Sequence, residues 1–519
     1  MEDLQLSTMI DVLISTVGVG ERMKSVNPSL HKALLPFKDK PILWHIINSI
    51  PRKKRIGILL GSRSDQIKDF CNHIFLDRDI QYIYVDDFTS EKSGTIYSLV
   101  CAKDFVGDNF WFLPCDGIFP KSILNHKNKV DTFYVQKVSL QYSSNYQLLK
   151  VVDEKVVEVL PRSTSDSSAY AFTGVMFIKN PKQYFQTIES TDQKDFSNII
   201  NMGSKISVTK DWIDLGNENS YLHHNEVSGV FDFTKSDEYT YILPKLILKW
   251  SREDNFTTDK MYKVNHSPFV FPANISCSKN FLCYEKVIGN SFYKSVSPRK
   301  FRKFLIWMKQ HYWKAVNLNI DTDLNQFYKE KTELRIKLAQ ENLPVLNRRI
   351  NKINGLKVQP WEDYLPDLNW GELIKNGKIS TMHGDLQFDN IIYSAFNGFK
   401  LIDWRASFGS QKIYGDVYYD FAKLFGGIII NYAEVKKNNF SVTFDKDSAE
   451  VILPTSPNSE KLIKILEEFM RNEQYEPLNA RKLLPLIYWN MAPLHKEPFA
   501  SALWLIGIYN FEKLRLEKI

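Results

Sequence analysis

From residue 11 to about 125 the chain alternates short apolar runs with amphipathic stretches. DVLISTV, RIGILLG, IQYIYVD and NFWFLPCD are rich in branched and aromatic residues and predict strands. PILWHIINSI, RSDQIKDFCNHIF and GTIYSLVCAKDF between them predict helices. Such strand–helix alternation predicts a mostly parallel sheet with helices on both faces. Over 130–215 the pattern changes: DTFYVQKV, YQLLKVVDEKVVEVL and AYAFTGVMFIK predict antiparallel strands, and QYFQTI and DFSNIINMG predict helices. Polar GNENSYLHHNEVSG predicts a domain boundary near 220–235. GVFDF, LILKW and FLCYEKVI then predict strands. From about 298 the chain turns helical, in PRKFRKFLIWMKQHYWKAV, DLNQFYKEKTELRIKLAQENL, SEKLIKILEEFMRNE and PFASALWLIGIYNFEKL. The expected organisation is an α/β domain over 1–225 and a second domain over 226–519. The latter comprises a small lobe (about 228–297) and a helical lobe (about 298–519).

Composition narrows the function classes. A chain of 519 residues exceeds one ordinary core, so two or three domains are expected. The net charge of +7 suits anionic small-molecule substrates, and the absence of an arginine-rich stripe or basic tail argues against nucleic acid. The five cysteines show no CxxC pair or zinc spacing, which suits thiols in a reducing cytosol. The first residues carry acids where a signal peptide needs bases, and nothing approaches the ~18 apolar residues of a membrane span. The expectation is a cytoplasmic protein without membrane insertion, its oligomeric state left open.

The densest chemistry lies in HGDLQFDNIIYSAFNGFKLIDWR, residues 383–405. Phosphoryl transfer needs a base beside the acceptor hydroxyl and metal ligands on the triphosphate. Asp385 and Asn390 have the D-x-x-x-x-N spacing, and Asp403 closes an apolar strand after a hairpin turn at Asn397-Gly398. This region resembles the aminoglycoside phosphotransferase and choline kinase superfamily. The resemblance implies a two-lobed protein-kinase-like fold, Asp385 as catalytic base, and Asn390 and Asp403 as ligands of Mg²⁺ on ATP. It also implies His383 as the residue that holds the loop and Asp420, in YGDVYYDFAKL, as a structural acid. Lys249 in KLILKWS is the expected phosphate lysine, with Lys245 as its rival, and CYEKVIGNS, with Glu285 and Val287, the expected adenine hinge. An acceptor pocket is expected among the C-terminal helices, drawing on Trp489, Asn490, His495 and Trp504 and on Arg405. Arg405 stands where choline-type sequences often carry an acid, so it admits an acceptor bearing a carboxylate, a phosphate or many hydroxyls.

A second centre is encoded upstream. In VGVGERMKSVNPSLHKALLPFKDKPIL (17–43), Gly18 and Gly20 let the backbone approach a phosphate, and Lys32 supplies charge over a developing pyrophosphate. The segment resembles the sugar nucleotidyltransferase family, with its G-x-G-x-R-[ML] loop, P-K and GKP turn. Ser15-Thr16-Val17 and His31 depart from the family pattern. SGTIYSL (93–99), FWFLPCDGIF (110–119), FTGVMFI (172–178) and DWIDLGN (211–217) also resemble family segments. The resemblance implies a mixed-sheet Rossmann-like domain, Gly94 and Thr95 at the nucleotide, Asp116 and Asp214 on Mg²⁺, and Arg22 and Lys32 on the leaving pyrophosphate.

The two centres make consecutive chemical sense. The second would phosphorylate a hydroxyl of a small alcohol, amino alcohol or sugar with ATP; the first would join that phosphate to a nucleotidyl group, with CTP favoured. Bacterial phosphocholine cytidylyltransferases belong to the same nucleotidyltransferase family. The alternative is an active kinase whose N-terminal domain only binds a nucleotide as regulator or scaffold.

Overall fold

The computed structural model describes residues 9–89, 94–139, 143, 145–161, 166, 168–191, 196–200, 203–225, 237–366 and 368–517. The chain divides into two compact units. The first is Met1–Glu226 with Ser236–Leu243 and Leu248–Arg252; the second is Val227–Lys235, Pro244–Ile247 and Glu253–Ile519. The division is therefore interlaced over 227–252, rather than a single break near 226. The reason is local: Tyr241 is fully buried and its hydroxyl donates to the Leu34 carbonyl (2.6 Å), while the Ile242 N–H donates to the Asp39 carbonyl (2.9 Å). The strand Glu238–Ile242 thus folds back onto the first unit. GVFDF, a predicted strand, lies outside the described residues.

In the first unit nine strands form one sheet, in the order Ile80–Tyr84, Ile56–Leu60, Ile10–Thr16, Val106–Pro114, Tyr170–Ile178, Thr132–Gln136, Lys205–Val208, Lys155–Leu160 and Leu148–Val152. The first four pair in parallel, as the alternating pattern predicts. Tyr170–Ile178 then runs antiparallel to both its neighbours. Ile56–Leu60 is buried at all five positions, which is why it reads as an unbroken apolar run. Lys205–Val208 runs parallel to Thr132–Gln136 and was not foreseen; four residues are too few for a clear period. Among its described residues, DFSNIINMG forms a short 3₁₀ turn, Phe196–Ile199. The pairing Ser15↔Pro114 sets the carboxyl ends of two adjacent strands level. The glycine loop after one and Asp116 after the other therefore emerge on the same edge, where ligands bind in open α/β sheets.

The second unit contains a helix, Phe256–His266, and an antiparallel pair, Ser276–Cys277 with Phe281–Glu285. A largely helical body follows. Ile379–Thr381 pairs with Tyr414–Asp416, and Ile391–Ser394 pairs with Gly398–Leu401 as the predicted hairpin. Residues 383–390 are thus held between a strand and a hairpin. Val417–Ile429, Pro477–Met491 and Phe499–Leu516 pack side by side as the core helices. A small sheet of Leu356–Lys357, Lys352–Ile353, Ser448–Ile452 and Ser441–Asp445 was not predicted, its strands being short and polar. The segment predicted as one helix from Asp323 is observed in three parts: Asp321–Asn325, a π turn at Gln326–Glu330, and Lys331–Asn342. Among the described residues no helix is long and apolar enough to cross a membrane.

Candidate functional sites

In the first unit, Lys32 and Asp116 form an ion pair, Nζ to Oδ2 at 2.6 Å, with both side chains under one-fifth exposed. Burial alone would raise the Asp116 carboxyl, but the Lys32 ammonium outweighs it and holds Asp116 below the usual range. The two sequence-predicted metal acids come together. Asp214 pairs with Gly117 across a short two-stranded ladder, and the Leu215 N–H donates to the Asp116 carbonyl (2.8 Å). A Cβ added to Gly216 would lie 2.9 Å from Asp116 Oδ2 and 3.1 Å from Asp214 Oδ1, so a side chain here would push the two carboxylates from the positions in which they converge. Asp214 accepts from the Gly216 N–H (2.9 Å), the Asn217 amide (2.7 Å) and the Tyr146 hydroxyl (3.1 Å). Its pKa is nonetheless raised, first by burial and then by Asp116. Two carboxylates under mutual repulsion, beside phosphate oxygens of a substrate, are a donor set that fits Mg²⁺. Arg22 acts on Asp116 and Asp214 electrostatically. Gly20 is left-handed (φ 71°) and folds against the Lys32 stem, while a Cβ at Gly18 would meet open space. Gly94 precedes the helix Thr95–Val100.

The two departures from the family pattern are structural here. Thr16 is buried and its hydroxyl donates to Leu59 O (2.6 Å). His31 Nε2 bonds the Thr16 carbonyl (2.9 Å), and its Nδ1 accepts from the Ala33 N–H (3.1 Å). That second bond makes Nδ1 the acceptor, so Nε2 carries the proton. His31 therefore pins the loop that delivers Lys32. Sequence reasoning missed His31, Tyr146 and Gly216 as site-forming residues. His31 could have been noticed as a polar replacement for a proline inside an otherwise matching motif.

A single substitution checks the convergence of carboxylates. Gly216→Ala drives a methyl group into both, and we expect pyrophosphate release to fall by about tenfold to a hundredfold with the fold intact by circular dichroism.

In the second unit, Asp385 Oδ1 lies 2.8 Å from Lys423 Nζ, a lysine only 9% exposed. Burial would raise Asp385, yet Lys423, then Arg405, bring it down to about 2. The Asn390 amide donates to the Asp385 carbonyl (2.7 Å) and to Oδ2 (3.2 Å), closing the loop on itself. Asp403 follows the hairpin in the left-handed region (φ 59°), an uncommon conformation for a residue with a side chain. One carboxylate and one amide oxygen, completed by triphosphate oxygens, fit a dication. Asp420 is fully buried and accepts from the His383 N–H (2.9 Å), the Gly384 N–H (2.8 Å) and the Trp313 indole (3.1 Å). His383 Nδ1 accepts from the Asp385 N–H (3.2 Å), and Nε2 bonds the Ile402 carbonyl (2.9 Å). One imidazole therefore ties the segment carrying Asp385 to the strand end that leads to Asp403.

Trp489 is fully buried, stacks on Trp504 at 4.9 Å and donates to the Trp504 carbonyl (3.1 Å); both are core, because their ring faces are already covered. His495 packs edge-on to Phe499 (5.3 Å). Lys249 sits half-buried on Leu246–Ser251 and falls within the first unit. Glu285 accepts from Asn274 Nδ2 (3.0 Å) and is exposed beside half-buried Val287. Lys423 was missed, although a lysine inside the apolar helix Val417–Ile429 was the available signal.

Burial pushes both loop-pinning histidines down to about 3, against an ordinary value near 6.5. Between those values the unfolded chain binds protons that the folded chain does not. Stability is therefore complete above pH 6.5 and falls as pH drops toward 3, by about 1.4 kcal/mol per pH unit for each histidine. We expect His31→Gln or His383→Gln to flatten the acid limb of stability, measured by urea unfolding between pH 4 and 7.

No family model matches the chain. Among curated proteins, it is 28% identical over 178 residues to the bifunctional protein GlmU of Methanococcus maripaludis, covering 33% of this chain and 40% of that protein. The GlmU of Methanocaldococcus jannaschii is 26% identical over 191 residues, covering 35% and 42%. The chain thus spans about two-fifths of the length of the curated relatives it matches. Solved structures similar to it include a CTP:phosphocholine cytidylyltransferase from Streptococcus pneumoniae (15% identity, 41% of this chain, 97% of that chain, TM-score 0.35). Another is the inositol-1-phosphate CTP transferase from T. maritima (16% identity, 41% and 91%, TM-score 0.35). The chain is an α/β protein whose N-terminal part is similar in sequence to these GlmU proteins.

Proposed function

We propose that the protein is a bifunctional enzyme. Its second unit phosphorylates a hydroxyl of a small alcohol, amino alcohol or sugar with ATP. Its first unit couples that phosphate to a nucleotidyl group, with CTP favoured, and makes an NDP-activated precursor for a surface polysaccharide. The observation that carries this reading is the pairing of one predicted acid in each unit with a shielded ammonium, Asp385 with Lys423 and Asp116 with Lys32.

In the kinase step Asp385, ionised by its cationic neighbours, orients the acceptor hydroxyl toward the γ-phosphorus and takes its proton late, as a loose transition state allows. The oxygen–phosphorus bond forms as the bond to ADP breaks. In the second step an oxygen of the phosphomonoester attacks the α-phosphorus in line, and pyrophosphate leaves. Arg22 and Lys32 offset the charge on the leaving group. Mg²⁺, where bound, would be held by Asp116 and Asp214 in one unit and by Asn390 and Asp403 in the other, neutralising phosphate charge.

The test incubates the protein with ATP, each of the four NTPs and a panel of polyols, amino alcohols and sugars, following ADP and pyrophosphate separately. Both products, with pyrophosphate release dependent on the phosphorylated acceptor, are expected. Acceptor-dependent ADP with no pyrophosphate under any condition would leave only the kinase and make the first unit a regulator.

A further inference from the structure

Lys32 opens a three-residue 3₁₀ turn, Lys32–Leu34. The direction of its ammonium toward Asp116 therefore depends on how that turn is held at each end. His31 holds the front end: Nε2 bonds the Thr16 carbonyl, and the His31 N–H donates to Gln66 Oε1 (2.8 Å). Behind the turn comes a two-residue strand, Pro36–Phe37, so the local ladder satisfies few of the carbonyls that follow Lys32. Partners from elsewhere in the first unit take them up. The Leu35 carbonyl accepts from the Ile42 N–H (3.1 Å), and the Phe37 carbonyl bonds His45 Nε2 (2.9 Å). The Pro36 carbonyl accepts from the Tyr221 hydroxyl (2.8 Å), and the Leu34 carbonyl from the Tyr241 hydroxyl (2.6 Å).

Of these partners Tyr241 is the unexpected one. It lies outside the nine-stranded sheet and beyond the boundary expected at 225, yet it closes the turn that begins with Lys32. Its strand, Glu238–Ile242, is otherwise turned outward: the other four side chains are exposed or half-buried, while Tyr241 is fully enclosed. The Ile242 N–H, donating to the Asp39 carbonyl (2.9 Å), fixes the strand against the same loop. Leu34 is fully buried too, so solvent does not replace the tyrosine hydroxyl at its carbonyl.

We propose that Tyr241 is a positioning residue of the first centre, an inference that rests on the nucleotidyltransferase reading. Its hydroxyl holds the turn that aims Lys32 at the leaving pyrophosphate, and Tyr221 plays a lesser part further along the same loop. The centre is thus completed by Glu238–Ile242 and does not end with the segment before 225. A turn freed at Leu34 lets the ammonium drift from the position where charge develops, so the loss falls on the chemical step.

The test follows pyrophosphate release by the full chain with each of the four NTPs and with glucose 1-phosphate, glycerol 3-phosphate or phosphocholine. Tyr241→Phe keeps the ring and loses only the hydroxyl. It should lower kcat for release about tenfold, with KM for the phosphomonoester within about twofold and ADP formation unchanged. Tyr184→Phe is the control: its hydroxyl donates to the Ile199 carbonyl (2.8 Å) from a buried site elsewhere in the first unit, and release should stay within about twofold. Action through Lys32 makes the effects non-additive, so in the Lys32→Met background Tyr241→Phe should cost less than about twofold. Wild-type release by Tyr241→Phe, the same loss in the Lys32→Met background, or an equal loss in Tyr184→Phe overturns the inference. If Tyr241→Phe does not fold, Tyr221→Phe carries the same cycle with a loss of about threefold, and additivity with Lys32→Met overturns it. Calorimetric titration with magnesium pyrophosphate reads the placement of Lys32 without turnover. Tyr241→Phe should bind it about fivefold or more weakly than the wild type, and Tyr184→Phe as tightly. Equal affinity in Tyr241→Phe, or no binding by the wild type, overturns the inference. The nucleotidyltransferase reading fails separately if the wild type releases no pyrophosphate with any NTP, and the calorimetry still decides the part of Tyr241.

Discussion

Asp385→Asn lowers acceptor-dependent ADP formation by about 10³-fold, the middle of the range for loss of a positioned base, while pyrophosphate release from a supplied phosphomonoester continues at the wild-type rate. The variant keeps the shape of the side chain and the Asn390 contact to the backbone carbonyl, but removes the charge that orients the hydroxyl. It also leaves Lys423 buried without its carboxylate, so some loss of stability is expected and is measured beside the rate. The reciprocal variant separates chemistry from stability. Burial favours a protonated Asp385, and Lys423 is the first cation that offsets it. Lys423→Met should therefore move the acid limb of the kcat–pH profile upward from near pH 2. A profile that does not move would contradict the assignment of Asp385 as the base.

Asp116→Asn lowers pyrophosphate release by about 10²- to 10³-fold and leaves ADP formation untouched. Asp116 is the carboxylate that both Lys32 and Asp214 sense. Without it the two-carboxylate donor set is reduced to Asp214, and the repulsion that raises the Asp214 pKa is removed. Asp214 should then titrate at lower pH, so a loss in activity cannot come from protonation of the remaining acid. If Asp116→Asn also stops ADP formation when acceptor and ATP alone are supplied, the assignment of two independent centres is wrong.

How much of this was legible in the sequence follows from how far apart the partners lie. Asp385 and Asn390 touch across one short loop, so their spacing carries the information. Two parallel strands of the first unit, Ile10–Thr16 and Ile56–Leu60, are largely buried on both faces and read as apolar runs. Lys423 reaches Asp385 from the helix Val417–Ile429, and no local period announces that approach. Trp489 and Trp504 illustrate the converse: aromatic spacing identifies a helix face but not whether it meets a pocket or another ring. The interlaced division over 227–252 depends on Tyr241 reaching Leu34, a pairing 207 residues apart that composition cannot express. His31 departs from the family pattern, and only the acceptor role of its Nδ1 reveals that it supports the loop instead of disabling it.

The most direct measurement follows the γ-phosphate of ATP. Protein, unlabelled CTP, an acceptor found to support ADP formation and γ-³²P-labelled ATP are combined, and the products are separated. Two consecutive reactions place the label in the phosphate of the nucleotide-activated product that adjoins the acceptor, and unlabelled pyrophosphate accumulates with it. Label confined to the phosphomonoester, with no labelled nucleotide product whichever NTP is supplied, contradicts the bifunctional enzyme.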